Sequence, residues 1–184
     1  MTTTNNQINF QNTLNNLDII IRNVSVEDAK SVIEYINIIS SESDNLTYGL
    51  GEFNFTVEQE QKYILSMNNN PLNLFILAII NDEIASIAQL QSNKKIRLCH
   101  LGHISLSVKQ KYWRKGIGNQ MMITLIDWAK NNNFKKLNLE VTTTNEGAIS
   151  LYKKHDFTIE GTNRRSMMIK GNYIDTYYMG LILD

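Results

Sequence analysis

The stretch from Asn73 to Val108 leaves a folding chain the fewest choices. Three apolar runs, "NLFILAII" (Asn73 to Ile80), "EIASIAQLQS" (Glu83 to Ser92) and "IRLCHLGHISLSV" (Ile96 to Val108), are separated only by Asn81-Asp82 and by Asn93-Lys94-Lys95. Connections this short cannot hold a crossover, so consecutive strands must reverse and pair antiparallel. The spacing predicts a three-stranded meander. Downstream the period changes. Gly118, Met122, Leu125 and Ala129 recur at helical spacing, "KKLNLEVTTT" reads as a strand buried through Leu137, Leu139 and Val141, "NEGAISLYKKH" is helical, and "FTIEGTNRR" and "NYIDTYYMGLIL" form a terminal hairpin. Upstream, "DIIIR" (Asp18 to Arg22) is a strand. Ser25 and Asp28 then cap a helix that turns Val32, Ile33, Ile36 and Ile39 inward, and a second helix starts at Thr56. These elements predict an α+β or α/β domain with a mixed, mostly antiparallel central sheet of about seven strands and helices on both faces.

A chain of 184 residues fits one domain, assigned here to residues 18–184. The first 17, "MTTTNNQINFQNTLNNL", carry little apolar area to offset the entropy of ordering and read as an Asn-rich, disordered tail. The formal net charge of +0 provides no field to gather nucleic acid or an anionic membrane, and the longest apolar run, "LFILAII", is far short of the roughly 20 residues that span a bilayer. Cys99 stands alone, so no internal disulfide can form. With no recognisable leader this points to a cytoplasmic protein, and Cys99 itself reads as a small buried hydrophobe. His100 and His155 lack partners at ligand spacing, and no metal is expected.

"KYWRKGIGNQM", Lys111 to Met121, sets a basic pair and two glycines between a strand and a helix. Two readings fit. Bare backbone amides and the positive end of a helix dipole can hold an anion, with Arg114 and Lys115 adding charge, or the glycines can serve a turn that packs closely. A Walker A loop is excluded because no Gly-Lys-Ser/Thr follows. The dinucleotide fingerprint fails as well, since Met121 takes the third glycine position and the strands upstream are a meander.

"WRKGIG", Trp113 to Gly118, resembles the Q/R-x-x-G-x-G/A signature of the GNAT superfamily of acetyl-CoA-dependent N-acetyltransferases, with Trp113 in place of Gln or Arg. "LEVTTTNEGAISLYKKHDF", Leu139 to Phe157, resembles that superfamily's later strand-helix segment, with Asp156 in place of a Gly, and "RNVSVEDA" with "ESDNLTYG" resembles its first strand, helix and loop. The resemblance covers about Asp18 to Leu183. It implies strands splayed at an acetyl-CoA site. Leu106, Ser107 and Val108 would pair with the pantetheine arm, while Arg114, Lys115, Gly116, Ile117, Gly118 and Asn119 would hold the pyrophosphate. Asn145 would touch the cofactor, although it also suits a helix N-cap.

The reaction implied is direct attack of an amine on a thioester through a tetrahedral intermediate, which needs a proton acceptor, charge stabilisation and a proton for the leaving thiolate. By resemblance Tyr152 is the general acid and Glu140 the base, while the residues alone allow Glu140 to be a solvated strand glutamate. His103 stands where relatives carry an acid and reads either as a base or as a polar strand residue. Glu42, Asp44, Tyr48 and Asp175 are the residues expected to line the acceptor pocket, where carboxylates beside aromatics suit a cation. The acceptor implied is a small-molecule primary amine, such as a polyamine, an amino-sugar or an amino-acid-like compound. A protein N-terminus or lysine is the alternative, and a non-catalytic acyl-CoA sensor is the alternative of another class. Relatives being often dimeric, a homodimer is the oligomer implied.

Overall fold

The computed structural model describes residues 7–183. Eight strands form one sheet: β1 (Asn9–Leu14), β2 (Leu17–Asn23), β3 (Leu74–Ile80), β4 (Glu83–Ser92), β5 (Leu101–Val108), β6 (Lys136–Thr142), β7 (Thr158–Ile169) and β8 (Asn172–Ile182). Their order across the sheet is β1-β2-β3-β4-β5-β6-β8-β7. Every neighbouring pair is antiparallel except β5 and β6. Helices α1 (Ala29–Glu42) and α2 (Val57–Asn68) cover one face, and α3 (Ile117–Asn131) and α4 (Glu146–Lys154) lie on the other.

The meander forms because β3 is apolar on both sides. Alternation sends Phe75 and Leu77 to the core under α1 and α2, while Leu74, Ile76, Ala78 and Ile80 enter the core under α3. Each fully buried Leu, Ile or Phe among them contributes roughly 1.5–3 kcal/mol by burial, and a one-residue slip would send each set into the core shaped for the other. Asn81 and Asp82 both adopt positive φ, 48° and 62°, the conformation of the tightest hairpin turns. Lys170 and Gly171 repeat the device between β7 and β8. Ahead of α1, the Ser25 backbone N–H donates to Asp28, whose carboxylate also takes both Arg22 guanidinium nitrogens at 2.7 Å. That pair fixes the exit of β2 into a short 3-10 turn from which the helix grows.

Two expectations change. Residues 9–14, expected within a disordered tail, are β1, paired with β2 over its whole length; the part of that tail from Met1 to Asn6 lies outside the described residues. β1 is held by ladder hydrogen bonds and by the Asn15-Asn16 turn, again at positive φ, and its side chains are mostly exposed. Composition registers apolar burial and is blind to an edge strand of this kind. The second change is at Ile96, where a 3-10 turn over Ile96–Leu98 delays β5 to Leu101. Cys99, expected to be buried, is exposed in this turn, its thiol directed to the Ile96 carbonyl.

β5 and β6 pair only from Leu101–His103 to Lys136–Asn138, although β5 continues to Val108 and β6 to Thr142. Beyond that point the strands part. The opening in mid-sheet is the main functional feature of the fold.

Candidate active site

The gap widens into a cleft of about 970 Å³ reaching from the N-terminus of α3 to β7 and β8. At its α3 end the chain turns twice into left-handed backbone, at Arg114 (φ 58°) and Gly116 (φ 87°), and enters the helix at Ile117 with no side chain capping it. The first N–H returned to the loop is that of Gln120, to the Gly116 carbonyl, so the amides of Ile117, Gly118 and Asn119 stand at the mouth without helical partners. Gly118 has a second task. A Cβ there would sit 3.3 Å from Leu151 of α4, so its bareness lets α3 and α4 close on each other.

The loop is braced from three sides. Trp113, in the motif position where Gln or Arg is usual, donates its indole N–H to the Val108 carbonyl at 2.7 Å. Asn15, in the β1–β2 turn, donates to the Lys115 carbonyl at 3.0 Å. Glu83 gathers Lys109, at 3.3 Å, with Lys111 and the Tyr112 hydroxyl. Burial alone would raise its carboxyl, but these hydrogen bonds outweigh it and hold the group down at about 2. Arg114 faces the cleft, whereas the Lys115 ammonium lies 5.4 Å over the Tyr112 ring.

The edge of β5 is equally specific. Ser107 gives its carbonyl to Ser86 on the β4 side at 2.6 Å, and the Lys109 N–H reaches Ala85 at 3.0 Å on that same side. Alternation then turns the backbone groups of Leu106 and Val108 toward the gap and those of Ser107 away from it. Of the three residues expected to pair with a pantetheine arm, Leu106 and Val108 have the orientation for it, the Val108 carbonyl already accepting from the Trp113 indole. The Ser107 hydroxyl instead meets the Tyr35 phenol at 3.0 Å.

Tyr152 reaches the cleft from α4 and Glu140 from β6. Tyr152 is 7% exposed, and burial pushes its phenol up to about 12, leaving it protonated and able to donate at neutral pH. Glu140 is exposed on β6 and accepts from the Thr176 hydroxyl and, at 3.4 Å, from Asn163. Asn145 N-caps α4 through the Ala148 N–H at 3.1 Å and also lines the cleft, so its two expected roles are compatible. Asn119, in the first turn of α3, shares a hydrogen bond with His155 at 3.1 Å.

The four residues expected to contact an acceptor do not gather. Glu42 lines the cleft but spends one oxygen on the Gln110 N–H at 2.7 Å. Asp44 pairs with Lys170 at 2.7 Å, and Asp175 accepts from the Arg165 N–H at 2.8 Å; neither lines the cleft. Tyr48 lines a second, smaller chamber of about 430 Å³ under α1 and α2, which meets the cleft along Ser105, Leu106 and Ser107. His103 is exposed on β5 and outside both cavities.

Sequence reasoning missed the far wall. Between Asn163 and Met167 the β7–β8 register slips, with Arg165 at φ 55°, and this bulge carries Asn163 and Ser166 to the cleft. Ser166 then meets Thr176 at 2.8 Å, completing a chain of hydroxyls that ends on Glu140. Nothing in "TNRRSMM" announces the bulge, because no glycine marks it.

Known proteins carry the same construction. The profile of the Acetyltransferase (GNAT) family matches residues 39–157, more than half of the chain. The L-amino acid N-acetyltransferase AaaT of Escherichia coli is 26% identical over 108 residues, 58% of this chain and 67% of its own. An N-alpha-acetyltransferase of Saccharolobus solfataricus is 28% identical over 164 residues, 86% of this chain and 87% of its own. Among solved structures, a GNAT-family acetyltransferase from Streptococcus pneumoniae superposes with a TM-score of 0.86 at 28% identity, covering 90% of this chain and 99% of that one. A Salmonella typhimurium protein solved with its cofactor acetyl-CoA shares the fold, with a TM-score of 0.79 at 17% identity over 90% of this chain and 94% of that one. The chain belongs to the GNAT family of acetyltransferases and is an acyltransferase.

Proposed function

We propose that this acetyltransferase moves the acetyl group of acetyl-CoA onto a primary amine of a small molecule, of polyamine, amino-sugar or amino-acid-like kind. The observation that carries the reading is the splay of β5 from β6, with unpartnered amides, Tyr152 and Glu140 all lining one cleft. The residues present fit the cofactor. Unpartnered amides in the first turn of α3, beside the Arg114 guanidinium, suit a diphosphate, and the gap-facing backbone of Leu106 with the Val108 N–H suits an amide-bearing arm. When bound, acetyl-CoA supplies an activated thioester. Glu140 accepts the proton that an amine, mostly charged at neutral pH, has to shed, and its hydrogen bonds to Thr176 and Asn163 fix its direction. Tyr152 holds a proton on its phenol and gives it to the departing sulfur.

A peptide N-terminus is the second reading, favoured by the similarity to an N-alpha-acetyltransferase over most of both chains. Thiol release from acetyl-CoA, followed across small amines and N-terminal peptides, decides between them. Release with small amines alone supports the first reading. Release confined to peptides replaces it, and binding of acetyl-CoA without release to any amine refutes both.

A further inference from the structure

The smaller chamber contains a group that the chemistry above does not use. Glu60 of α2 is 1% exposed, lines the chamber, and makes no hydrogen bond or ion pair with any described side chain. Its neighbours are otherwise engaged. The Tyr63 hydroxyl donates to Gln89 at 2.8 Å and accepts from Gln91 at 3.0 Å, and Tyr35 is tied to Ser107. Around Glu60 the wall is aromatic, with Phe53 edge-on to Tyr48 at 5.1 Å and stacked on Phe55 at 4.7 Å. Among the described residues no lysine, arginine or histidine lines the chamber from α1, α2, β3, β4, β5 or the connecting loop, and its other titratable groups are the phenols of Tyr35, Tyr48 and Tyr63.

A carboxyl this little exposed and without a protein partner is costly to the free fold, and burial raises it to about 7. An ammonium among aromatic faces supplies what it lacks. Glu60 does not line the cleft that holds Tyr152 and Glu140, so it is not the base for the reacting amine. Instead the chamber meets the cleft along Ser105 to Ser107, so one molecule can reach from one into the other.

We propose that this chamber holds the second ammonium of a diamine acceptor on the Glu60 carboxylate, with an apolar spacer lying along the aromatic wall, so that the substrate class is an α,ω-diamine. The assignment rests on the acetyltransfer reading for its reacting end, whereas the chamber's affinity for a cation is independent of turnover. Glu60 is then a specificity-determining residue.

Calorimetry with 1,4-diaminobutane and 1,5-diaminopentane, against butylamine and pentylamine, tests it on the full chain. The wild type should bind a diamine at least tenfold more tightly than the monoamine of equal length. Affinity should also rise between pH 6 and 8 as the carboxyl ionises. Glu60→Gln should erase the preference while raising the thermal midpoint, because an unpaired charge is removed. Glu60→Asp should restore part of the preference, and covers the case in which the glutamine variant misfolds. In turnover, Glu60→Gln should lower kcat/KM tenfold or more for the diamine, by less than twofold for the monoamine, and leave the KM for acetyl-CoA in place. Equal binding of diamine and monoamine by the wild type overturns the proposal, as does an equal loss for both acceptors in the variant. Diamine-specific binding without any thiol release would keep the chamber assignment and refute the acetyltransfer reading instead.

Discussion

The two ends of the cavity system are built from different materials. Around the N-terminus of α3 the surface is backbone: amides of residues 117–119, the edge of β5, and glycines that keep Cβ atoms away. Under α1 and α2 it is side chain, contributed by two helices, a loop and three strands. A wall made of backbone has to keep its conformation and tolerates few substitutions, whereas a wall made of side chains can be rewritten one residue at a time. One scaffold can thereby hold a constant cofactor and many acceptors.

Substitutions should respect that boundary. The largest effect belongs to the reacting groups: Tyr152→Phe should lower kcat about 100-fold, within the range for general-acid catalysis, with the acetyl-CoA KM unchanged in steady-state kinetics. Loss of cofactor affinity in its place would move Tyr152 into the binding surface. Next comes Gly116→Ala. Open space surrounds that position, its nearest neighbour being Asn15 at 3.8 Å, so the cost is that of left-handed backbone, about 1–2 kcal/mol. We expect a roughly tenfold weaker coenzyme A in calorimetry and an acceptor KM that does not move. Trp113→Phe removes one hydrogen bond of about 1 kcal/mol and should weaken coenzyme A about fivefold. An acceptor-specific defect in either variant would break the division between the two ends.

The smallest effect is on the acid limb of stability. Glu83 has a folded pKa below its unfolded one, so its contribution is complete above pH of about 4.5 and disappears as pH falls toward 2. Denaturant midpoints of Glu83→Gln should therefore lie below wild type at pH 6 and converge with it near pH 2. Parallel curves across that window would mean the carboxylate is not what holds Lys109, Lys111 and Tyr112.

The same division explains what could be read in advance. Gly116, Gly118 and Asn145 were legible because backbone geometry demands particular residue types at fixed spacing. Tight turns bounded the meander, and alternation in "LNLEV" placed Glu140 on the cleft side of β6. Asp44 and Asp175 were assigned to an acceptor because carboxylates suit cations, yet composition cannot tell a free carboxylate from one already held by Lys170 or by a bulge amide. Glu60 lies in "TVEQEQKYILSM", where the pattern shows an amphipathic helix; only the packing of Tyr63, Phe53 and Phe55 around it reveals that it faces a chamber. Asn163 and Ser166 depended on a register slip that no local signal encodes.

The contact between Asn15 and the Lys115 carbonyl joins parts of the chain 100 residues apart. Coupling between two sites is reciprocal, so whatever free energy the first hairpin lends to anion capture, an anion returns to the hairpin. Hydrogen exchange in the outermost strand should then slow when coenzyme A is present, making the sheet's edge a reporter of occupancy at its centre.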